Sequence, residues 1–72
     1  MSEQKWEIEF TVACVNEFAH QYHLSAQEAF RYLFQFKGIE FIKENYEIEY
    51  TLDFDTIIED LRLVCKNNGG IL

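Results

Sequence analysis

The sequence predicts an all-α fold, a small bundle of about four helices with a short extended segment near residues 46–52. Three observations support this prediction. Apolar residues recur at helical spacing in several stretches, capping-box pairs precede two of them, and no proline interrupts the chain. Because 72 residues with 49% hydrophobic content can build only one core, we expect a single domain over residues 1–72.

The first helix is predicted over residues 8–22. Its apolar stripe consists of Ile8, Val12, Val15, Phe18, Ala19 and Tyr22, with Cys14 at its edge. Trp6 and Phe10 lie away from this stripe, so they are either covered on a second side of the helix or presented to a partner. Residues 6–12 also alternate between apolar and polar, and pairing with residues 46–52 as two strands is the alternative. Such pairing would oppose glutamates across the strands, which is destabilising, so the helix is preferred.

Ser25 and Glu28 have the spacing of a capping box and predict the start of a second helix. Its predicted apolar face consists of Ala29, Phe30, Leu33, Phe34 and Phe36. Gly38 is expected to end this helix in the left-handed conformation. A third, short helix fits residues 39–45, with Ile39 and either Ile42 or Phe41 inward.

From residue 46 the period changes to two, because Tyr46, Ile48, Tyr50, Leu52 and Phe54 alternate with polar residues, and this pattern predicts the extended segment. The last helix is predicted from Asp55 or Thr56 to Asn67. Thr56 and Glu59 have capping-box spacing, and Gly69 is the expected terminator. The expected inward residues are Ile57, Leu61, Val64 and Cys65.

The net charge is -7, which disfavours binding to nucleic acid and to anionic membranes. Between residues 40 and 60 there are eight acids and one base, so this stretch is either a solvated face or an acidic surface for a basic partner. No apolar run reaches the roughly 20 residues that span a bilayer, and residues 1–5 lack a signal-peptide core, so we expect a cytoplasmic protein. Cys14 and Cys65 are expected to be reduced core residues.

Catalytic groups are not recognisable in the sequence, so we expect no enzyme and no cofactor. The only two serines are Ser2 in the N-terminal tail and Ser25, which is assigned to the capping box, and Cys14 and His20 would lie about 240° apart around a helix. Glu17, His20 and His23 have ligand-like spacing, but Glu17 and His20 fall on the polar face without further carboxylates from other helices, and His23 suits a helix C-terminus, so no metal site is expected.

Taken together, these residues resemble a small bacterial family of uncharacterised domains, domain of unknown function three-seven-nine-one. The residues that carry the resemblance are residues 8–22 with the central Cys14, the step from Leu24-Ser25 into Glu28-Ala29-Phe30, Gly38, Asn45-Tyr46 and residues 57–61. Members often carry His where this chain has Tyr50. The resemblance implies a compact helical domain, encoded beside or fused to other small domains, some similar to ADP-ribosyltransferases.

These observations predict a non-catalytic protein-binding module, and the family context suits an antitoxin-like or accessory partner of a neighbouring bacterial protein. The expected partner-binding residues are Trp6, Phe10, Glu47, Glu49, Tyr50 and Asp53. A structural homo-oligomer is the alternative, with the same aromatics buried between identical chains. An acidic mimic of nucleic acid and a small metal-binding protein are the remaining hypotheses.

Overall fold

The structure is a computed structural model that describes the backbone of residues 2–72 and the side chains of residues 5–72. In this part of the chain there are five α-helices and no strand, which confirms the all-α prediction. The helices are α1 (Ser2–Gln21), α2 (Ala26–Gln35), α3 (Gly38–Glu44), α4 (Tyr46–Glu49) and α5 (Phe54–Asn67).

The core lies where α1, α2, α3 and α5 meet. Its buried apolar residues are Cys14, Val15, Phe18, Ala19, Ala29, Leu33, Ile39, Ile42, Ile57, Ile58, Leu61 and Cys65. Both cysteines are free and buried, as predicted. The Phe18 ring is fully buried at the centre, with its centroid 4.7 Å from that of Tyr22 and 5.8 Å from that of Tyr32.

The predicted apolar faces of α1 and α2 are only partly correct. Val15, Phe18 and Ala19 are buried, but the first part of the α1 stripe, Ile8 and Val12, is exposed because no described element covers it. On α2 the predicted core residues Phe30 and Phe34 are likewise exposed, whereas Ala29 and Leu33 are buried. Each helix therefore packs on the core along a narrower stripe than its apolar residues suggest.

The capping box at the start of α2 is present as predicted. The Glu28 backbone N–H donates to the Ser25 hydroxyl (3.1 Å), and the Ser25 backbone N–H donates to the Glu28 carboxylate (2.9 Å). For α5 the predicted pair of Thr56 and Glu59 is wrong. The cap is Asp53, whose carboxylate accepts from the Thr56 backbone N–H (2.8 Å), while Glu59 binds Arg62 instead.

The junction between α2 and α3 differs from the prediction by one residue. Lys37, not Gly38, adopts the left-handed conformation, with φ of 74°. Gly38 is instead the buried first residue of α3, where the backbone passes close to the core. A Cβ at Gly38 would lie 2.8 Å from Leu33 Cδ2 and 3.2 Å from Cys65 Sγ. Glycine is therefore required here by close packing and not by its backbone angles.

We expect opposite effects from substitutions at these two neighbouring positions. Gly38→Ala should lower the free energy of unfolding by about 1–3 kcal/mol, because the added methyl group overpacks against the buried Leu33. Lys37→Gly should raise it by about 0.5–1 kcal/mol, because glycine removes the cost of a left-handed lysine. Urea denaturation of both variants measures this, and stabilisation by Gly38→Ala would contradict the packing argument.

The predicted extended segment near residues 46–52 is wrong. Residues 46–49 form the short helix α4, and residues 50–52 form turns that lead to the cap of α5. Tyr46 and Tyr50 are four residues apart, a spacing that places them on one face of either a strand or a helical turn. Here they stack at 5.1 Å between ring centroids, and the preference for residues 6–12 as helix is confirmed.

Candidate functional site

An apolar groove runs between the first half of α1, α2 and the start of α3. Four large apolar side chains line it and are exposed to solvent: Ile8 (64%), Val12 (52%), Phe30 (45%) and Phe34 (68%). The buried Ile39 also lines the groove, and Glu7, Thr11 and Lys43 complete its lining. Contiguous exposed apolar surface of this kind marks interaction sites in a soluble protein.

The two walls of the groove are each built from residues four apart on one helix. Ile8 and Val12 lie on successive turns of α1, and Phe30 and Phe34 lie on successive turns of α2. The Phe30 and Phe34 rings stack on each other at 6.0 Å. Since Phe30 and Phe34 follow the capping box directly, the start of α2 fixes the direction in which this aromatic wall faces.

The groove encloses about 640 Å³, which falls in the range of small-molecule sites. Small-molecule sites, however, bury most of the ligand and direct polar groups at it. This groove is open, and the Thr11 hydroxyl is already engaged because it donates to the Glu7 backbone carbonyl (2.8 Å). The groove therefore suits the extended apolar surface of a larger binding partner better than it suits a small-molecule ligand.

A smaller cleft of about 290 Å³ adjoins the groove, and Glu7 and Lys43 line both. Its other lining residues are Glu44, Asn45, Tyr46, Glu47 and Ile48. Three carboxylates thus face one ammonium group in this acidic cleft. The acidic cleft and the apolar groove form one continuous surface along α1, α3 and α4.

The structure brings some of the sequence-predicted partner-binding residues together. Trp6 and Tyr50 are more than half exposed, and Glu47 is exposed at the acidic cleft. Phe10 is partly buried against the core and meets Tyr46 edge to face, with centroids 5.6 Å apart. Phe10, Tyr46 and Tyr50 therefore form one aromatic cluster beside α4.

Two of the predicted partner-binding residues have other surroundings than the sequence suggested. Asp53 is exposed, but hydrogen bonds from the side chain and backbone of Thr56 occupy its carboxylate and lower its pKa. Glu49 was expected on a polar face, and instead only 4% of it is exposed. The expected exposure of Glu49 was wrong because residues 46–52 were predicted to be extended, which would place every second residue in solvent, and its role in partner binding stays a prediction.

Glu49 is the unusual carboxylate of this fold. Its Oε1 atom is buried without a hydrogen-bond partner. Burial, with the nearby Asp60 carboxyl group as a second cause, raises the pKa of Glu49 to about 7. Burial and the charge of Glu49 together raise the pKa of Cys14 to about 12, so that thiol stays protonated and unreactive.

The residues with ligand-like spacing in the sequence do not form a site. His23 adopts a left-handed conformation (φ 56°) just past the end of α1, while His20 is exposed in the last turn of that helix. Among the described residues, no three histidine, cysteine or acidic side chains converge as metal ligands would. None of the described helices is long and apolar enough to cross a membrane.

Sequence reasoning missed the groove because its four apolar residues were assigned to the core. A signal was available in the first helix, where Trp6, Ile8, Phe10 and Val12 are more apolar residues than a single stripe can bury. In the second helix Phe30, Leu33 and Phe34 have the i, i+3, i+4 spacing of a single apolar face, so no signal was available there.

The fold and the groove together define a small helical bundle with an uncovered apolar face. The chain belongs to the family described as "Protein of unknown function (DUF3791)", whose sequence profile matches residues 9–68. The match includes most of α1 and all of α2 to α5. A search of curated proteins and a search of solved structures each find no match.

Proposed function

We propose that this protein is a non-catalytic protein-binding module, an antitoxin-like or accessory partner of a neighbouring bacterial protein in the cytoplasm. The observation that carries the proposal is the exposure of Ile8, Val12, Phe30 and Phe34 in one groove. Fully burying one such side chain is worth about 1.5–3 kcal/mol. Covering all four from their half-exposed state would therefore supply on the order of 3–6 kcal/mol.

The chemistry of the described side chains supports a binding role over a catalytic one. Cys14 is a buried thiol held in its protonated form, and the two histidines lie at the exposed end of α1, away from it. The class of partner comes from the family resemblance, in which members are encoded beside or fused to other small domains.

The test replaces two groove residues on different helices, in the double variant Val12→Gln with Phe34→Gln. Both side chains are exposed and glutamine is a good helix former, so we expect the fold to be retained. The matched control is Leu63→Gln, an exposed apolar residue of α5 that does not line the groove. Circular dichroism and thermal unfolding should show all three proteins folded.

Affinity purification from the native host identifies the partner of the unmodified chain, and calorimetry measures its affinity for each variant. The double variant should bind at least about 100-fold more weakly, since interface anchors each contribute above about 1.4 kcal/mol. Leu63→Gln should bind like the unmodified chain. Equal partner affinity for the double variant and the unmodified chain overturns the proposal that the groove is the binding surface.

A further inference from the structure

We infer that the groove receives an amphipathic α-helix of the partner protein, with Lys or Arg one turn beyond its apolar residues, seated against the acidic cleft. This inference rests on the proposed function and adds the chemistry of the partner segment. Three features of the molecule support it, namely the spacing of the groove walls, the secondary structure of the described chain and the placement of charge.

The spacing of the walls matches a third helix. The pairs Ile8–Val12 and Phe30–Phe34 form ridges of residues four apart, on two helices that pack against each other. Helices pack by placing such a ridge into the space between two others. A partner helix with apolar side chains at positions i and i+4 repeats the same rise of about 6 Å per step and fits between the two walls. Ile39 at the start of α3 supplies the buried floor.

Other modes of peptide recognition have less support from this surface. Strand addition requires an exposed sheet edge whose backbone groups are free, and residues 2–72 contain no strand. The helices around the groove already satisfy most of their own backbone groups, so the groove offers side chains and little main-chain pairing. An amphipathic helix needs only side-chain contacts, and it satisfies its own backbone.

Charge determines what lies next to the apolar residues of that helix. Glu7, Glu44 and Glu47 line the acidic cleft and have no ion-pair partner among the described side chains. Because the cleft and the groove share Glu7 and Lys43, a helix in the groove brings its next turn to these carboxylates. A Lys or Arg in that turn gains their attraction, whereas a Glu would be repelled.

The same charges disfavour a second copy of this chain as the occupant. Each copy carries a net charge of -7, so self-association through this face sets two acidic surfaces against each other. A basic partner segment removes this repulsion. The charge should act mainly on specificity, because exposed ion pairs contribute only about 0–1 kcal/mol each.

The experiment uses three synthetic peptides of about 18 residues, long enough to form a helix. The first carries Leu at i, i+4 and i+7 with two Lys in the following turn. The second replaces those Lys by Glu. The third has the composition of the first, with its Leu residues six positions apart, which spreads them evenly around a helix and leaves no apolar face. Titration into the labelled full chain, followed by NMR, measures affinity and locates binding.

The first peptide should bind with shifts at Val12 and Phe34, the second at least about tenfold more weakly, and the third not at all. In the chain variant Glu7→Gln with Glu47→Gln, the difference between the first two peptides should shrink to less than about threefold. Equal binding of the first and third peptides, or binding of neither, overturns the inference that the groove receives a helix. Equal binding of the first and second peptides overturns the inference that a basic turn contacts the acidic cleft.

These outcomes are separable from those of the proposed function. Suppose that the double variant Val12→Gln with Phe34→Gln no longer binds the natural partner and that the first peptide does not bind the unmodified chain. The groove is then still the binding surface, but the inference that its occupant is a helix is wrong. A dimer in light scattering that this double variant converts to monomer identifies a second copy as the occupant, and it also overturns the inference.

Discussion

Replacing Phe18 by Ala should remove about 3–5 kcal/mol from the free energy of unfolding, the largest effect we expect from a single substitution in this protein. Phe18 is fully buried and contacts the rings of Tyr22 and Tyr32, so its loss leaves a cavity between α1 and α2. A chain of this length has a total stability of roughly 4–11 kcal/mol. The melting temperature should fall by about 15–35 °C, measured by circular dichroism.

The matched control is Phe34→Ala, which deletes the same atoms from the exposed wall of the groove. Because 68% of Phe34 is exposed, we expect its removal to change the stability by less than about 1 kcal/mol. If Phe18→Ala does not fold, the smaller change Phe18→Leu still reports the same site. A loss of stability on Phe34→Ala as large as that on Phe18→Ala would show that the groove belongs to the core.

This pair of substitutions separates the two uses of apolar residues that the sequence alone could not separate. The periodicity of α1 predicts one stripe, and the structure buries only the part from Val15 onward. Ile8 and Val12 continue the stripe where no other helix of the described chain covers it. A pattern of apolar residues reports which side chains avoid water, but not whether their cover comes from this chain or from another.

Local signals were more reliable than patterns that depend on tertiary packing. The capping box of Ser25 and Glu28 was predicted correctly because both partners lie within one turn, and Gly69 has the left-handed conformation expected of a terminator (φ 101°). Gly38 shows the limit of this reasoning. A glycine next to a helix end indicated a left-handed cap, but its role comes from close contacts with Leu33 of α2 and Cys65 of α5, which depend on how the helices pack.

The segment 46–52 was mispredicted for a related reason. Tyr46 and Tyr50 share a face in both a strand and a helix, so their spacing does not distinguish the two. The residues between them decide the matter, since Ile48 is exposed and Glu49 is buried, opposite to the alternating pattern. A carboxylate inside the protein is unfavourable, and no sequence rule based on burial would place it there.

This buried carboxylate determines how stability should depend on pH. The pKa of Glu49 is about 7 in the folded protein, against 4.5 for an ordinary glutamate. Since the folded state binds this proton more tightly, the contribution of Glu49 to stability is complete below pH 4.5 and is lost as the pH rises to about 7. Above that pH, the ionised carboxylate should cost on the order of 2–3 kcal/mol, because one unit of pKa corresponds to about 1.4 kcal/mol.

The variant Glu49→Gln should therefore be more stable than the unmodified chain by about 2–3 kcal/mol at pH 8 and about equal to it at pH 4. Glutamine keeps the shape of the side chain without a charge to bury next to Asp60 and Cys14. Urea denaturation at a series of pH values measures the difference between the two proteins, in which the titration of carboxylates that do not interact with Glu49 cancels. Glu47→Gln is the control, since that neighbour on α4 is exposed, and its stability relative to the unmodified chain should be nearly constant over this range. A difference between Glu49→Gln and the unmodified chain that stays constant from pH 4 to pH 8 would mean that Glu49 titrates normally and that α4 does not hold its carboxylate away from water.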